Sequence, residues 1–193
     1  MLESAARDDF DARPLILTAQ LDAATFALAD GLRKAHFPVA RNFLDAHLTL
    51  FHALPAQTLV AVSDVLAAES AAGAAMPLTL SHPFSLGFGV ALAVQCDALV
   101  ALRQRLRTRW ADQLSAQDRS GWRPHITVQN KVPPAEARTL LAQLADGWRA
   151  VEGAVTGLAL WRYDAGPWAA ERVFAFGGGP CDDPAAGPAG RHS

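Results

Sequence analysis

The chain has 193 residues, 51% of them apolar and 19% charged, and a formal net charge of −2. That much apolar material excludes a disordered chain, and no apolar run reaches the length of a membrane span. The near-neutral balance argues against a protein that tracks a long nucleic-acid duplex, where a basic face is the rule.

Residues 1–13 read as a flexible lead-in, polar and acidic, without the apolar core of a signal peptide. Cys96 and Cys181 are too few for a disulfide framework, so both read as reduced thiols and the compartment as cytoplasmic. Residues 14–21 are mostly apolar and predict a central strand. Asp22 is placed to cap a helix running to about Lys34, which Pro38 stops. A second strand covers residues 46–52 and ends at Leu54-Pro55. Residues 57–72 predict a helix with Gly73 at its end. Strands follow at 77–81 and 85–95, where Gly87 and Gly89 signal a bulge or a close backbone approach. A helix from Asp97 to about Leu114 carries Arg103, Arg105, Arg107 and Arg109, whose spacing points them in several directions over a solvated surface. Residues 119–123 read as loop, and a strand covers 125–131. Pro133-Pro134 opens a helix to about Trp148. Strands at 151–163 and 172–176, joined near Gly166-Pro167, close the order. Residues 178–193 read as a disordered Gly/Pro-rich tail. The order β-α-β-α-β-β-α-β-α-β-β predicts an α+β fold, with a strand, a helix and a further strand repeated in each half as in a diverged duplication.

One pattern stands out. His47-Leu48-Thr49-Leu50 and His125-Ile126-Thr127-Val128 repeat His-apolar-Thr-apolar 78 positions apart. Six His and nine Thr in 193 residues predict only about 0.3 His-x-Thr triplets by chance, so two are notable. In a strand, residues i and i+2 share a face. Each copy therefore aims an imidazole and a hydroxyl one way and buries two aliphatic side chains the other way. Two such strands across a cleft supply acid–base groups and hydrogen-bond donors for a phosphodiester without a metal.

The flanks carry a resemblance. The stretch from Ala46 through His47, Thr49, Phe51 and His52 to Pro55, and the stretch Trp122-Arg123-Pro124 followed by His125 to Val132, resemble the paired motifs of the 2H phosphoesterase superfamily, in its branch of 2′-5′ RNA ligase-like proteins and RNA 2′,3′-cyclic phosphodiesterases. The resemblance covers roughly residues 14–177. It implies a single bilobal, pseudo-symmetric domain there, with two antiparallel sheets facing a central cleft and helices outside. It also implies that His47, Thr49, His125 and Thr127 are catalytic. The implied reaction opens a 2′,3′-cyclic phosphate, on an RNA end or a small nucleotide, to a phosphomonoester; 2′-5′ ligation is the same chemistry reversed. No cofactor and no metal are expected. One histidine must accept a proton and the other donate one; His125 is assigned as base and His47 as acid. The Thr hydroxyls donate to the non-bridging oxygens.

Alternation extends the list of candidate substrate-binding residues. Phe51 shares the face of His47 and Thr49, as a cleft wall or as core. Gln129 and Lys131 continue the face of His125 and Thr127, and Arg123 precedes the second motif as a phosphate partner. His52, five residues after His47, falls on the opposite face of an uninterrupted strand and reads as a rim histidine. Trp161 and Tyr163 read as packing residues. The partners expected are an RNA end or a nucleotide with a cyclic phosphate, with no membrane and with a monomer as the favoured state. Two alternatives remain: a non-catalytic module that binds RNA ends or nucleotides in the same cleft, and a metalloprotein using His47 and His125. The second lacks carboxylates in either motif. Gly177-Gly178-Gly179 lacks the Lys-Ser/Thr of a phosphate-binding loop.

Overall fold

The computed structural model describes residues 12–164 and 166–178. The lead-in expected for residues 1–11, the tail at 179–193, Cys181 and His192 lie outside the described residues.

The predicted order returns with one addition. Strands β1 (Leu15–Leu21), β2 (Leu48–Leu54), β3 (Met76–Ser85), β4 (Val90–Gln95), β5 (His125–Gln129), β6 (Val151–Tyr163) and β7 (Trp168–Ala175) alternate with helices α1 (Ala23–His36), α2 (Leu59–Ala72), α3 (Asp97–Arg109), α4 (Ala116–Arg119) and α5 (Pro134–Ala145). The single turn of α4 lies between the helix expected to about Leu114 and the loop expected at 119–123, and shares only Arg119 with that loop. Strand β3 runs on to Ser85 through Pro83; its pairing with β6 ends at Leu80, so its free side needs no donor at Pro83. Strand β7 begins at Trp168, earlier than its polar residues suggested.

Local chemistry explains the boundaries. The Asp22 carboxylate accepts from the amides of Ala24 and Thr25, both at 3.0 Å, and caps α1. Pro134 occupies the first turn of α5, where no amide donor is required. Gly89 is required by crowding: a Cβ there would stand 2.0 Å from the carbonyl oxygen of Gln129. No helix among the described residues is long and apolar enough to cross a membrane.

All seven strands pair antiparallel, in the order β2-β1-β6-β3-β4-β5 with β7 also on β6. The two expected sheets are thus two halves joined through one long strand. Residues Val155 to Arg162 of β6 pair with β1, and Val151 to Val155 pair with β3. Strand β1 is central, as its apolar run predicted. The two motif strands are the outer strands of the path, and the sheet curls until β2 and β5 approach each other. Leu48, Leu50, Ile126 and Val128 are wholly buried in a core shared by both halves. Each contributes about 1.5–3 kcal/mol by leaving water, which fixes the opposite face of each strand toward the cleft.

Candidate functional site

An edge strand leaves backbone donors and acceptors without ladder partners. Both motif strands have another source of unpaired groups, because each is bulged directly after its threonine. In β2, Leu17 pairs with Phe51 and Thr18 with Thr49, so Leu50 is the extra residue. In β5, Val90 pairs with Gln129 and Ala91 with Thr127, so Val128 is the extra residue. A bulge inserts one residue and reverses the alternation beyond it.

That reversal corrects two expectations. Alternation put Phe51 on the face of His47 and Thr49, as cleft wall or as core, and Gln129 on the face of His125 and Thr127; the bulges turn both inward. Phe51 is fully buried, edge-on to Trp110 at 5.4 Å between ring centroids. Gln129 is buried, with its amide nitrogen 3.3 Å from Glu136 and its Oε1 unpartnered. The same reversal brings His52, expected on the opposite face, to the cleft.

The unpaired backbone groups are met by side chains. Arg103 Nε donates to the Leu50 carbonyl at 2.9 Å, and its Nη2 donates to the Asp118 carbonyl at 3.1 Å. The Asp118 carboxylate accepts from the His52 amide at 2.9 Å and from the Ala53 amide at 3.0 Å. It also accepts from His52 Nδ1 at 3.0 Å. Trp122 Nε1 donates to the Thr49 carbonyl at 3.0 Å. On the other edge, Arg33 Nη1 donates to the Thr127 carbonyl at 2.9 Å. The support is crossed: Arg33 of α1 holds the second motif strand, and Arg103 of α3 holds the first. The expectation that Arg103 sits with Arg105, Arg107 and Arg109 on a solvated surface is therefore wrong for this residue. It is buried, and its guanidinium lies 5.0 Å from the Phe51 ring and 4.9 Å from the Trp122 ring.

Between the two edges lies a cavity of about 430 Å³ lined by His47, Thr49, His125 and Thr127. The two imidazoles are held alike. His47 Nδ1 lies 2.8 Å from the Asp45 carbonyl, and His125 Nδ1 lies 2.8 Å from the Arg123 carbonyl. A carbonyl only accepts, so Nδ1 carries the hydrogen in both rings and each Nε2 is the free nitrogen. Neither Thr hydroxyl has a partner among the described residues, which leaves both free to donate. His52, Arg123, Trp122 and Trp168 complete much of the wall. Arg123 lines the cavity, with its guanidinium 3.6 Å from the centroid of Phe84. Lys131 reaches a second, adjoining cavity that shares His47 and Thr127. Trp161 is buried as expected, whereas Tyr163 is substantially exposed and lines that second cavity.

The electrostatics separate the histidines. Burial, with Arg33 nearby, pushes the His47 pKa down to about 4, against the hydrogen bond to Asp45 that favours its charged form. Burial alone would raise Asp118, but the His52 ring and the amides of His52 and Ala53 more than offset it, and the carboxyl is held below its usual range. Among the described residues no group of three or more His, Cys, Asp and Glu is arranged to hold a metal ion.

Sequence reasoning missed Asp118, Trp168 and the cleft position of His52. A signal for Asp118 existed. Ser115-x-x-Asp118 is a capping pattern, and the Ser115 hydroxyl does accept from the Asp118 amide at 3.1 Å and donate to its carboxylate at 3.1 Å. Trp168 follows the expected turn directly, and its ring lies 4.7 Å from that of His47.

Several solved structures share this fold. A protein of Thermus thermophilus aligns over 86% of this chain and 99% of its own, at 18% identity and a TM-score of 0.59. Escherichia coli LigT, crystallised with 3′-AMP, aligns over 85% and 98% at 20% identity and a TM-score of 0.57. A structure described as a phosphoesterase aligns over 86% and 98%, at 21% identity and a TM-score of 0.57. At these identities the likeness establishes the fold alone. No curated protein matches the chain. The family model of the 2′-5′ RNA ligase superfamily matches residues 20–167, from the end of β1 to the turn before β7, and the chain belongs to that superfamily.

Proposed function

We infer that the protein is a metal-independent phosphodiesterase that opens a 2′,3′-cyclic phosphate to a phosphomonoester, with 2′-5′ ligation as the reverse reaction. The observation that carries this reading is the matched pair of imidazoles: each is gripped through Nδ1 by a carbonyl two residues back, each presents a free Nε2 to one cavity, and each stands beside an unpaired Thr hydroxyl. LigT has been crystallised with 3′-AMP, with NADP+ and with phosphate, ligands that all bear phosphoryl groups.

In the hydrolytic direction His125 Nε2 takes a proton from water, whose oxygen forms a bond to phosphorus. The bond from phosphorus to one ribose oxygen breaks, and His47 Nε2 protonates that oxygen. Thr49 and Thr127 donate to the non-bridging oxygens, where charge builds. Burial and the nearby Arg33 favour the neutral form of His47. An anionic phosphate beside it reverses that preference, so the ligand and the proton bind together.

The test is a metal-free panel of 2′,3′-cyclic mononucleotides, cyclic-phosphate-ended RNA and a cyclic phosphate of ADP-ribose, with identification of the product isomer. Turnover that survives chelation and is lost in both His47→Ala and His125→Ala is expected. Near-wild-type turnover in either variant overturns the two-histidine reading, and ligand binding without turnover favours the non-catalytic module.

A further inference from the structure

We infer that His52, held by the buried Asp118 carboxylate, is a third catalytic imidazole of this site: as an imidazolium it donates from Nε2 to a non-bridging oxygen of the reacting phosphoryl group. This rests on the proposed phosphodiesterase reading and adds to it a residue outside both His-apolar-Thr-apolar motifs.

Three observations carry it. His52 lines the first cavity together with His47, Thr49, His125 and Thr127, so its ring borders the space in which those side chains meet a phosphate. The bulge at Leu50 puts it there, one strand step beyond Thr49 on the same side. Second, the ring is anchored through one nitrogen only. Its Nδ1 lies 3.0 Å from Asp118 Oδ1; a carboxylate only accepts, so Nδ1 carries the hydrogen, and Nε2 has no partner among the described residues. The His52 side chain is 44% exposed, whereas that of Asp118 is 0% exposed, so the ring is open to a ligand while its anchor is sheltered from water. A carboxylate placed in this way fixes the tautomer and orientation of an imidazole and stabilises positive charge on it. Third, the other edge has no equivalent. The place five residues after its motif histidine is Asn130, whose side-chain oxygen accepts from the Lys131 amide at 2.7 Å, and which lines the adjoining cavity instead. A purely structural need at the β2 bulge is met by the Asp118 bonds to the His52 and Ala53 amides, which any side chain at position 52 permits.

The charges around the ring assign its role. Asp118 approaches from α4 and Arg103 from α3, while His47, His125 and Arg123 border the same cavity. Arg103 is buried and bonded to the Leu50 and Asp118 carbonyls, and the Arg123 guanidinium lies over Phe84. In the proposed reaction the Nε2 atoms of His47 and His125 are committed to proton transfer. His52 is the remaining imidazole, and it brings its own counter-charge. An imidazolium between a carboxylate and a phosphoryl oxygen makes a charge-assisted hydrogen bond at each nitrogen. No covalent bond to it forms or breaks; it stabilises the charge that builds on the phosphoryl oxygens as water attacks.

The test variant is His52→Asn, because the asparagine amide nitrogen can take the place of Nδ1 and keep the bond to Asp118 while Nε2 is lost. Turnover is measured on 2′,3′-cyclic AMP and on the two diastereomers of its cyclic phosphorothioate, in which sulfur replaces one or the other non-bridging oxygen. His52→Asn is expected to lower kcat/KM for cyclic AMP by about tenfold or more, the weight of one charge-assisted donor. It is also expected to change the ratio of the two diastereomer rates by about threefold or more, because only one of them loses the contact in the wild type. That ratio does not depend on the fraction of protein folded. His52→Gln, which can return an uncharged donor near the place of Nε2, is expected to recover part of the loss. Unchanged kcat/KM in His52→Asn, with the wild type turning over cyclic AMP, overturns the inference and leaves the phosphodiesterase standing. A lower kcat/KM with an unchanged diastereomer ratio overturns it as well, since that is the result of a structural role. Binding of 3′-AMP and of adenosine needs no turnover. His52→Asn is expected to weaken 3′-AMP by about tenfold and to leave adenosine unaffected. That selective weakening, in a protein that turns over no cyclic phosphate, keeps the contact between His52 and phosphate and overturns the proposed reaction instead.

Discussion

The two motif strands are built to one plan and supported in two ways. Each is an outer strand of the sheet, each is bulged at the fourth residue of its motif, and each imidazole is gripped by the carbonyl two residues earlier. Beyond the bulge they part. On β2 the loosened backbone is filled by Arg103 and Asp118, which pair with the Leu50 carbonyl and with the amides of His52 and Ala53. On β5 the residue after the bulge is Gln129, buried with one oxygen unpartnered. The first edge is thus held by a buried arginine and a buried carboxylate, and burial disfavours the charged form of its histidine; on the second, Arg33 bonds the Thr127 carbonyl and the His125 contact is exposed. Symmetric chemistry needs only the motif residues to match, so the supports were free to diverge.

The largest effect is expected where the edges agree. Replacing His47 or His125 by Ala should lower turnover of a cyclic phosphate by about 10³-fold each, the ordinary weight of one general acid or base. Equal losses at the two edges would show that the difference in support does not reach the reacting atoms. A loss at only one of them would break the matched-pair reading.

The next largest is expected where the edges differ. Asp118→Ala leaves the amides of His52 and Ala53 and the His52 ring without their acceptor and vacates a buried carboxylate position, and should cost about 3 kcal/mol of stability in urea unfolding. A change under about 0.5 kcal/mol would mean that the bulge on β2 does not depend on its carboxylate.

The pH dependence separates the same two groups. His47 titrates at about 4 in the folded protein and near 6.5 when unfolded, so between those values the unfolded chain binds more protons. Its contribution is therefore complete above pH 6.5 and is lost as the pH falls toward about 4. Asp118 is held below its unfolded value of 3.8, so its contribution is lost only at lower pH. Stability followed from pH 7.5 to 4.5 should decline less steeply in His47→Asn than in the wild type. Identical slopes would remove His47 as the source.

These differences also mark what was legible in the sequence. The element order, the central place of β1, the Asp22 cap and the apolar backs of both motif strands follow from period, capping chemistry and burial, which are local properties. The cleft positions of His47, Thr49, His125 and Thr127 follow from period-2 alternation, because they precede the bulges. Phe51, Gln129 and His52 come after them, and a bulge is decided by the neighbouring strand and by Arg103 and Asp118 more than 50 residues away, so alternation assigned all three to the wrong side. Arg103 looked like one of four surface arginines because helical spacing alone does not say which of them finds two carbonyls to bind.

The smallest effect sharpens the comparison most. Asp118 and Gln129 are both buried polar residues beside a bulge, but only Asp118 has its acceptors used. Gln129 keeps a single hydrogen bond, from its amide nitrogen to Glu136 at 3.3 Å, and its Oε1 is buried without a partner. Removing an unsatisfied buried oxygen relieves a desolvation cost, while giving up one long hydrogen bond to a partly solvated carboxylate costs little. Methionine has nearly the same length and fills the same space without a polar head. Gln129→Met is therefore expected to be neutral or to stabilise by up to about 1 kcal/mol, with turnover of a cyclic mononucleotide as the check on site geometry. A loss of about 2 kcal/mol or more would show that Gln129 is a structural counterpart of Asp118, and that the two edges are supported by equivalent polar groups after all.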